Sequence, residues 1–230
     1  MDKIPTRTVV FDLDDTLYYE ADYVRSGKIA VADIIQKTFG VDLTDQLIAC
    51  EGDFLALACR TLALPRVSKE SLLWLYRLHC PVLSLRPGAQ DLLCALRALG
   101  NAICIITDGR AVTQRLKIAA LNIAYDQAYI SEEVGVEKPD PLAFRRVEQD
   151  WPADSYVYVG DNARKDFIAP RQLGWTSFGL MPHPRSIHPC LPDQIAPNHA
   201  PDFWVEDFTE LASMLMLDNN MLTKNNKLQL

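Results

Sequence analysis

The chain has 230 residues, 49% of them hydrophobic and 23% charged, and a net charge of −7. These are the proportions of an ordinary globular protein with one good-sized core, or a core and a smaller appended unit. The acidic balance argues against a nucleic-acid partner, and no apolar run approaches the roughly 20 residues of a membrane span. Six cysteines form no Cys-x-x-Cys pair and sit mostly in apolar stretches. That usage predicts a reduced, cytoplasmic chain without disulfides or zinc. The first strand starts so soon after Met1 that no signal peptide is expected, and no internal repeat is present.

Residues 6–12, with Val9-Val10-Phe11 at their centre, read as a strand buried on both faces. It runs into Asp12-Leu13-Asp14-Asp15-Thr16, a carboxylate cluster that strand chemistry does not need. In an open parallel sheet the carboxyl ends of the strands are where ligands bind. From 18 to 86 the pattern is helical. Val31, Ile34, Ile35 and Phe39 recur at helical spacing up to Gly40. Leu47, Phe54, Leu55 and Ala58 continue that period as a second helix weakened by Gly52, and Ser71 to Leu78 form a third with Ser68 or a neighbour as its cap.

Arg86-Pro87-Gly88 returns the chain to alternation. A helix through Leu92, Leu93, Leu96 and Leu99 ends at Gly100, and the strand Ala102–Ile106 ends at Thr107-Asp108-Gly109. A helix through Leu116 and Ala120 and a weaker strand within Tyr125–Ile130 follow. The loop Val136-Glu137-Lys138-Pro139-Asp140-Pro141 offers Asp140 as an N-cap and Pro141 as a first helical residue. The strand Tyr156–Val159 ends at Gly160-Asp161, and after a helix to Leu173 come strands at Thr176–Leu180 and Phe203–Val205. The alternation predicts an α/β fold, a Rossmann-like parallel sheet with helices on both faces and an inserted α-helical cap. The expected boundaries are 1–17 and 87–217 for the core, 18–86 for the cap, and 218–230 for a frayed tail. Residues 181–201 hold six prolines and three histidines. His183, His188, His199 and Cys190 match no metal spacing there, so a surface loop is expected.

Four strand ends or adjoining loops thus present Asp12 and Asp14, Thr107, Lys138, and Asp161 with Asp166. In that order they resemble the four motifs of the haloacid dehalogenase-like hydrolase superfamily: Asp-x-Asp-x-Thr, a Thr or Ser ending an apolar strand, a lysine, and an acidic pair. The resemblance spans the chain to about residue 217. The 18–86 insertion resembles the small helical cap of one branch.

The resemblance implies a phosphatase in which Asp12 attacks phosphorus to form an aspartyl-phosphate and Asp14 acts as general acid and then base. It places Thr107 and the amides of Asp108 and Gly109 on phosphoryl oxygens, and Lys138 on the nucleophile and the phosphoryl charge. Carboxylates this close cannot all stay ionised without a cation, and Mg2+ suits them. The family places that ion on Asp12, the main-chain carbonyl of Asp14 and Asp161, with Asp166 as ligand or in the surrounding shell. Asp166 also suits the dipole of a first helical turn, and Asp15 and Thr16 suit turn-shaping roles. Many relatives have Asn where Asp108 stands, so its carboxylate is expected to turn away from the phosphate.

Asp14 speaks against the dehalogenase and phosphonate-cleaving branches, which replace it. The expected partner is a small phosphorylated substrate, with a lean toward a sugar phosphate. A phosphosugar mutase and a nucleoside 5′-monophosphatase are the alternatives on the same core. A phospho-receiver or an inactive binding protein fits the motifs less well. Hinges are expected near Tyr19 to Asp22 and Cys80 to Pro87, and Tyr18, Tyr19, Tyr23, Arg25 and His79 are candidates for lining the cleft. The sequence leaves the oligomeric state open.

Overall fold

Arg7–Phe11 form the first strand, β1, and all five residues are buried. The computed structural model describes residues 6–187, 189 and 191–215. The expected tail, together with His188 and Cys190, lies outside the described residues. β2 (Ala102–Thr107), β3 (Gln127–Ile130), β4 (Ser155–Gly160), β5 (Thr176–Leu180) and β6 (Phe203–Val205) complete one sheet in the order β3-β2-β1-β4-β5-β6. Every pairing is parallel. Phe11 stands level with Ile105 on one side and Val159 on the other, so β1, β2 and β4 end together. The strand order reverses at β1, and the crevice beyond the carboxyl ends at such a point is where open α/β sheets hold ligands.

Alternate residues of each strand enter separate cores. Val9, Phe11, Ile103, Ile105, Val157 and Val159 pack on one face, with α5 (Ala89–Ala98), α6 (Ala111–Leu121) and a helical run at 208–215. Val10, Cys104, Ile106 and Tyr158 pack on the other, under α8 (Leu142–Asp150) and α9 (Ile168–Leu173). The short α7 (Ser131–Val134) follows β3 directly. Neither α7 nor the 208–215 run was among the expected elements.

Between β1 and α5 lie α1 (Glu20–Phe39), α2 (Thr44–Ala49), α3 (Phe54–Thr61) and α4 (Ser68–Leu78). They share a core of their own, built on Val31, Ile35, Leu43, Leu47, Leu55 and Leu72. Three details refine the sequence reading. The expected second helix is two, because the chain breaks at 50–53 and restarts on Asp53, whose carboxylate accepts the Ala56 N–H at 2.9 Å. Ser68 is the first residue of α4, and its neighbour Val67 holds the cap position without a side-chain hydrogen bond. Asp140 accepts the Leu142 N–H at 2.9 Å, so α8 begins at Leu142, after Pro141 rather than on it. No helix of the described residues is long and apolar enough to cross a membrane.

Candidate active site

Asp12 follows β1 directly. Its N–H donates to Val159 O at 2.8 Å, which extends the ladder to the sheet's edge and fixes the carboxylate at the crevice. Lys138 Nζ donates to Asp12 Oδ1, and the Thr16 hydroxyl lies 3.2 Å from Asp12 Oδ2 and 3.2 Å from Asp161 Oδ1. Burial and the neighbouring Asp166 push the Asp12 carboxyl up to about 7, against the pull of Lys138.

Lys138 is itself buried among Asp12, Asp166 at 2.8 Å and the Tyr158 hydroxyl at 3.1 Å. Burial alone would release its proton; Asp12 and Asp166 overcome that and raise its pKa. Asp166 is fully buried. Its Oδ2 accepts the N–H groups of Asp161 (3.2 Å) and Asn162 (2.8 Å) and so shapes the turn after β4. Gly160 is required there, because a Cβ would stand 2.6 Å from Asp166 Oδ2.

Oxygens of Asp12, Asp161 and Asp166 lie within 4.8 Å of one another. Lys138 brings one ammonium to these three carboxylates, which leaves two negative charges uncompensated. Burial and repulsion from Asp166 and Asp12 accordingly drive the Asp161 carboxyl well above its ordinary range. A divalent cation would match this deficit, and an all-oxygen donor set suits a hard ion.

Asp14 is treated differently. Lys117 Nζ donates to its Oδ1 at 2.7 Å, the Tyr18 hydroxyl donates to the same oxygen, and Gln114 Nε2 donates to Oδ2 at 2.7 Å. Burial would raise this carboxyl too, but Lys117 and the three hydrogen-bond donors hold it below its ordinary value. The two acids of one motif therefore have opposite surroundings: Asp12 sits among carboxylates and one ammonium, and Asp14 among three donors.

Thr107 ends β2 in the same cleft and accepts from Gln114 Nε2 at 2.6 Å. The Asp108 carboxylate accepts the Lys138 N–H at 3.0 Å and Lys165 Nζ at 2.7 Å. The Gly109 N–H donates to Ser131 Oγ at 2.9 Å, and α7 brings that hydroxyl to it. Asp15, at φ +54, shapes the turn. Its carboxylate accepts the N–H groups of Glu20 (2.9 Å) and Ile187 (2.7 Å), and its carbonyl accepts Arg86 Nη1 at 2.9 Å.

Of the cleft candidates, Tyr18 reaches Asp14 and Tyr23 covers Lys117 with its ring at 4.4 Å. Tyr19 stacks between Arg86, Arg185 and His183, and His79 packs on Tyr23 and Tyr76. Arg25 lines a separate outer groove with Ser26, Ile29 and Val82.

Four participants escaped the sequence reading: Glu20, Gln114, Lys117 and Lys165. Glu20 lines the cleft, and burial and Asp14 push its carboxyl up to about 7. Gln114 and Lys117 left a readable trace, because they occupy the stripe of α6 that also buries Ile118 and Leu121, where apolar residues belong.

A family model of haloacid dehalogenase-like hydrolases matches residues 6–174. A glyceraldehyde 3-phosphate phosphatase of Methanocaldococcus jannaschii is 28% identical over 191 residues, 75% of this chain and 84% of that protein. The pyrimidine 5′-nucleotidase YjjG of Escherichia coli is 39% identical over 117 residues, 48% of this chain and 49% of that one. Among solved structures, the defluorinating L-2-haloacid dehalogenase Rha0230 superposes with a TM-score of 0.64 at 21% identity, covering 92% of this chain and 95% of the other. The ordered acidic strand ends, the reversed sheet and the matched span together make this chain a member of the haloacid dehalogenase-like hydrolase family.

Proposed function

We propose that the chain is a Mg2+-dependent phosphatase of a small phosphorylated metabolite, a sugar phosphate by preference, working through an aspartyl-phosphate on Asp12. The observation that carries this reading is the contrast between Asp12, set among Lys138 and unneutralised carboxylates, and Asp14, two residues on with donors of its own. An Asp12 oxygen attacks phosphorus, the bond to the leaving oxygen breaks, and that oxygen takes a proton from Asp14, which must first take it up from solvent against the pull of Lys117. A water then gives a proton to Asp14 and attacks phosphorus, and the Asp12–phosphoryl bond breaks to free phosphate. Lys138 and Thr107 hold the phosphoryl charge. Asp12, the Asp14 carbonyl and Asp161 would hold the Mg2+, with Asp166 behind them, and the ion would supply charge neutralisation. A departing halide needs no proton, so the investment in Asp14 favours phosphoryl transfer over dehalogenation.

The cleft encloses about 60 Å³, far below the roughly 300–1,000 Å³ of small-molecule sites. We read α1–α4, about residues 18–86, as a cap that swings to admit substrate and then excludes water. The relative named for glyceraldehyde 3-phosphate supports a short phosphorylated sugar. The relative named as a pyrimidine nucleotidase favours a nucleoside 5′-monophosphate as the second reading.

The test is phosphate release with Mg2+ from an aryl phosphate, then from a panel of triose, hexose and nucleoside monophosphates. EDTA should stop it, and Asp12→Asn should lower turnover by more than about 10³-fold while still unfolding in one cooperative thermal transition. Normal turnover in Asp12→Asn removes the nucleophile, and an isomer in place of free phosphate makes the enzyme a mutase.

A further inference from the structure

Gln114 and Lys117 stand one turn apart on α6 and are 1% and 4% exposed. A buried amide and a buried ammonium are expensive unless each has a partner of matching chemistry. Both find the same one. Gln114 Nε2 takes Asp14 Oδ2 at 2.7 Å and also Thr107 Oγ1 at 2.6 Å, while Lys117 Nζ takes Asp14 Oδ1 at 2.7 Å. The Tyr23 ring of α1 closes the other side of the ammonium at 4.4 Å. Each carboxylate oxygen is thus gripped from α6, which leaves the Asp14 side chain little freedom to turn.

We propose that Gln114 and Lys117 are positioning residues that aim the Asp14 carboxylate at the leaving-group oxygen, and that Tyr23 ties this aim to the placement of α1. The proposal rests on the phosphatase reading above and adds residues that reading does not use. Neither side chain touches the reacting atoms; both act through Asp14. Gln114 also links Asp14 to Thr107, so one side chain sets the spacing between the proton donor and the phosphoryl-binding hydroxyl.

The readout is leaving-group dependence. An alkyl phosphate leaves as a poor alkoxide and needs a proton from Asp14, whereas an aryl phosphate leaves as a stable phenolate and barely needs one. The parameter kcat/KM reports the step in which that bond breaks. Gln114→Met and Lys117→Met should each lower kcat/KM by about tenfold or more for an alkyl phosphate and by under about threefold for an aryl phosphate. That is part of the roughly 10²–10⁴-fold a positioned acid contributes. Asp14→Asn, measured alongside, should show the same asymmetry in stronger form.

Equal losses on both substrates, or none on either, overturn the proposal, since a merely structural role would not distinguish leaving groups. If Lys117→Met fails to fold, the same pair of measurements on Gln114→Met and Lys117→Arg decides the matter, with Arg expected to recover part of the alkyl activity. Failure of the underlying reading looks different: wild type would release no phosphate from either ester, or Asp14→Asn would lose its asymmetry.

Discussion

The sheet and the inserted helices bury their apolar surface in different ways. Every residue of β1 is covered on both faces, and ladders to β2 and β4 fix its register. Helices α1–α4 cover one side only, on Val31, Ile35, Leu47 and Leu72. Their other side leaves Ile34, Trp74 and Leu78 exposed by 39%, 45% and 50%. Thr113 Oγ1 to Arg77 O at 3.5 Å, Arg185 on Asp22 and Lys117 against the Tyr23 ring are among the contacts that tie these helices to the rest of the chain. On the proposed reading, the side chains that carry the chemistry hang from the tightly held part, and those that would meet the substrate hang from the loosely held part. Changes at the strand ends should act on kcat, and changes in the helices should act on KM.

The strongest challenge to that division is Lys138→Met. It leaves Asp12 and Asp166 buried without their ammonium. Breaking a buried pair in this way costs about 3–5 kcal/mol. Turnover should fall by more than about 10²-fold, and the melting temperature should fall more in EDTA than in Mg2+. A variant that changes KM alone would break the comparison.

A smaller effect concerns pH in the presence of a chelator. Folded Asp12 and Glu20 keep protons to about 7, whereas the unfolded chain releases them at the ordinary 3.8 and 4.5. Between those limits the folded chain binds more protons than the unfolded one, so stability should fall as pH rises, by at most about 1.4 kcal/mol per pH unit for each group. His79, held low by burial, works in the opposite sense as pH drops below its ordinary 6.5. Comparison with Asp12→Asn isolates the Asp12 part: the variant's melting temperature should depend less on pH between 4 and 7. Identical pH profiles would show that Asp12 carries none of the strain. Mg2+ should flatten the wild-type profile.

The smallest expected effect lies in the helices. Gly27 on α1 faces Tyr76, and an added Cβ would stand 2.3 Å from its ring. Gly27→Ala should cost about 1–3 kcal/mol by overpacking. It should raise KM a few-fold while kcat holds, as measured by steady-state assay. A matching loss of kcat would show that the helices reach further into the chemistry than their packing suggests.

Much of this was legible in the sequence, for a physical reason. Strand ends that carry Asp12, Thr107 and Asp161 announce themselves because an apolar run stops abruptly on a polar residue. β5 and β6 fall where the β-branched and aromatic runs put them. Gln114 and Lys117 were not read, because a polar residue within an amphipathic helix is taken for its solvent side until its buried partner is seen. The gap between α2 and α3 was missed for a similar reason: the apolar period runs on across it, and only the Asp53 carboxylate marks the restart. The hydrogen bond from Gly109 N–H to Ser131, 22 residues away, was not foreseen, because the one-turn helix that starts at Ser131 is too short to leave a periodic signal.

The place of β1 in the sheet also dictates an order of assembly. Residues 7–11 are made before their neighbours on either side, residues 102–105 and 155–159. Closing such long loops is entropically slow. On the ribosome Asp12 would wait for its flanking strands until β4 had been made, with Lys138 made just before that strand and Asp166 just after it. A nascent chain arrested before β4 would hold every helix of the insertion and still lack an active centre.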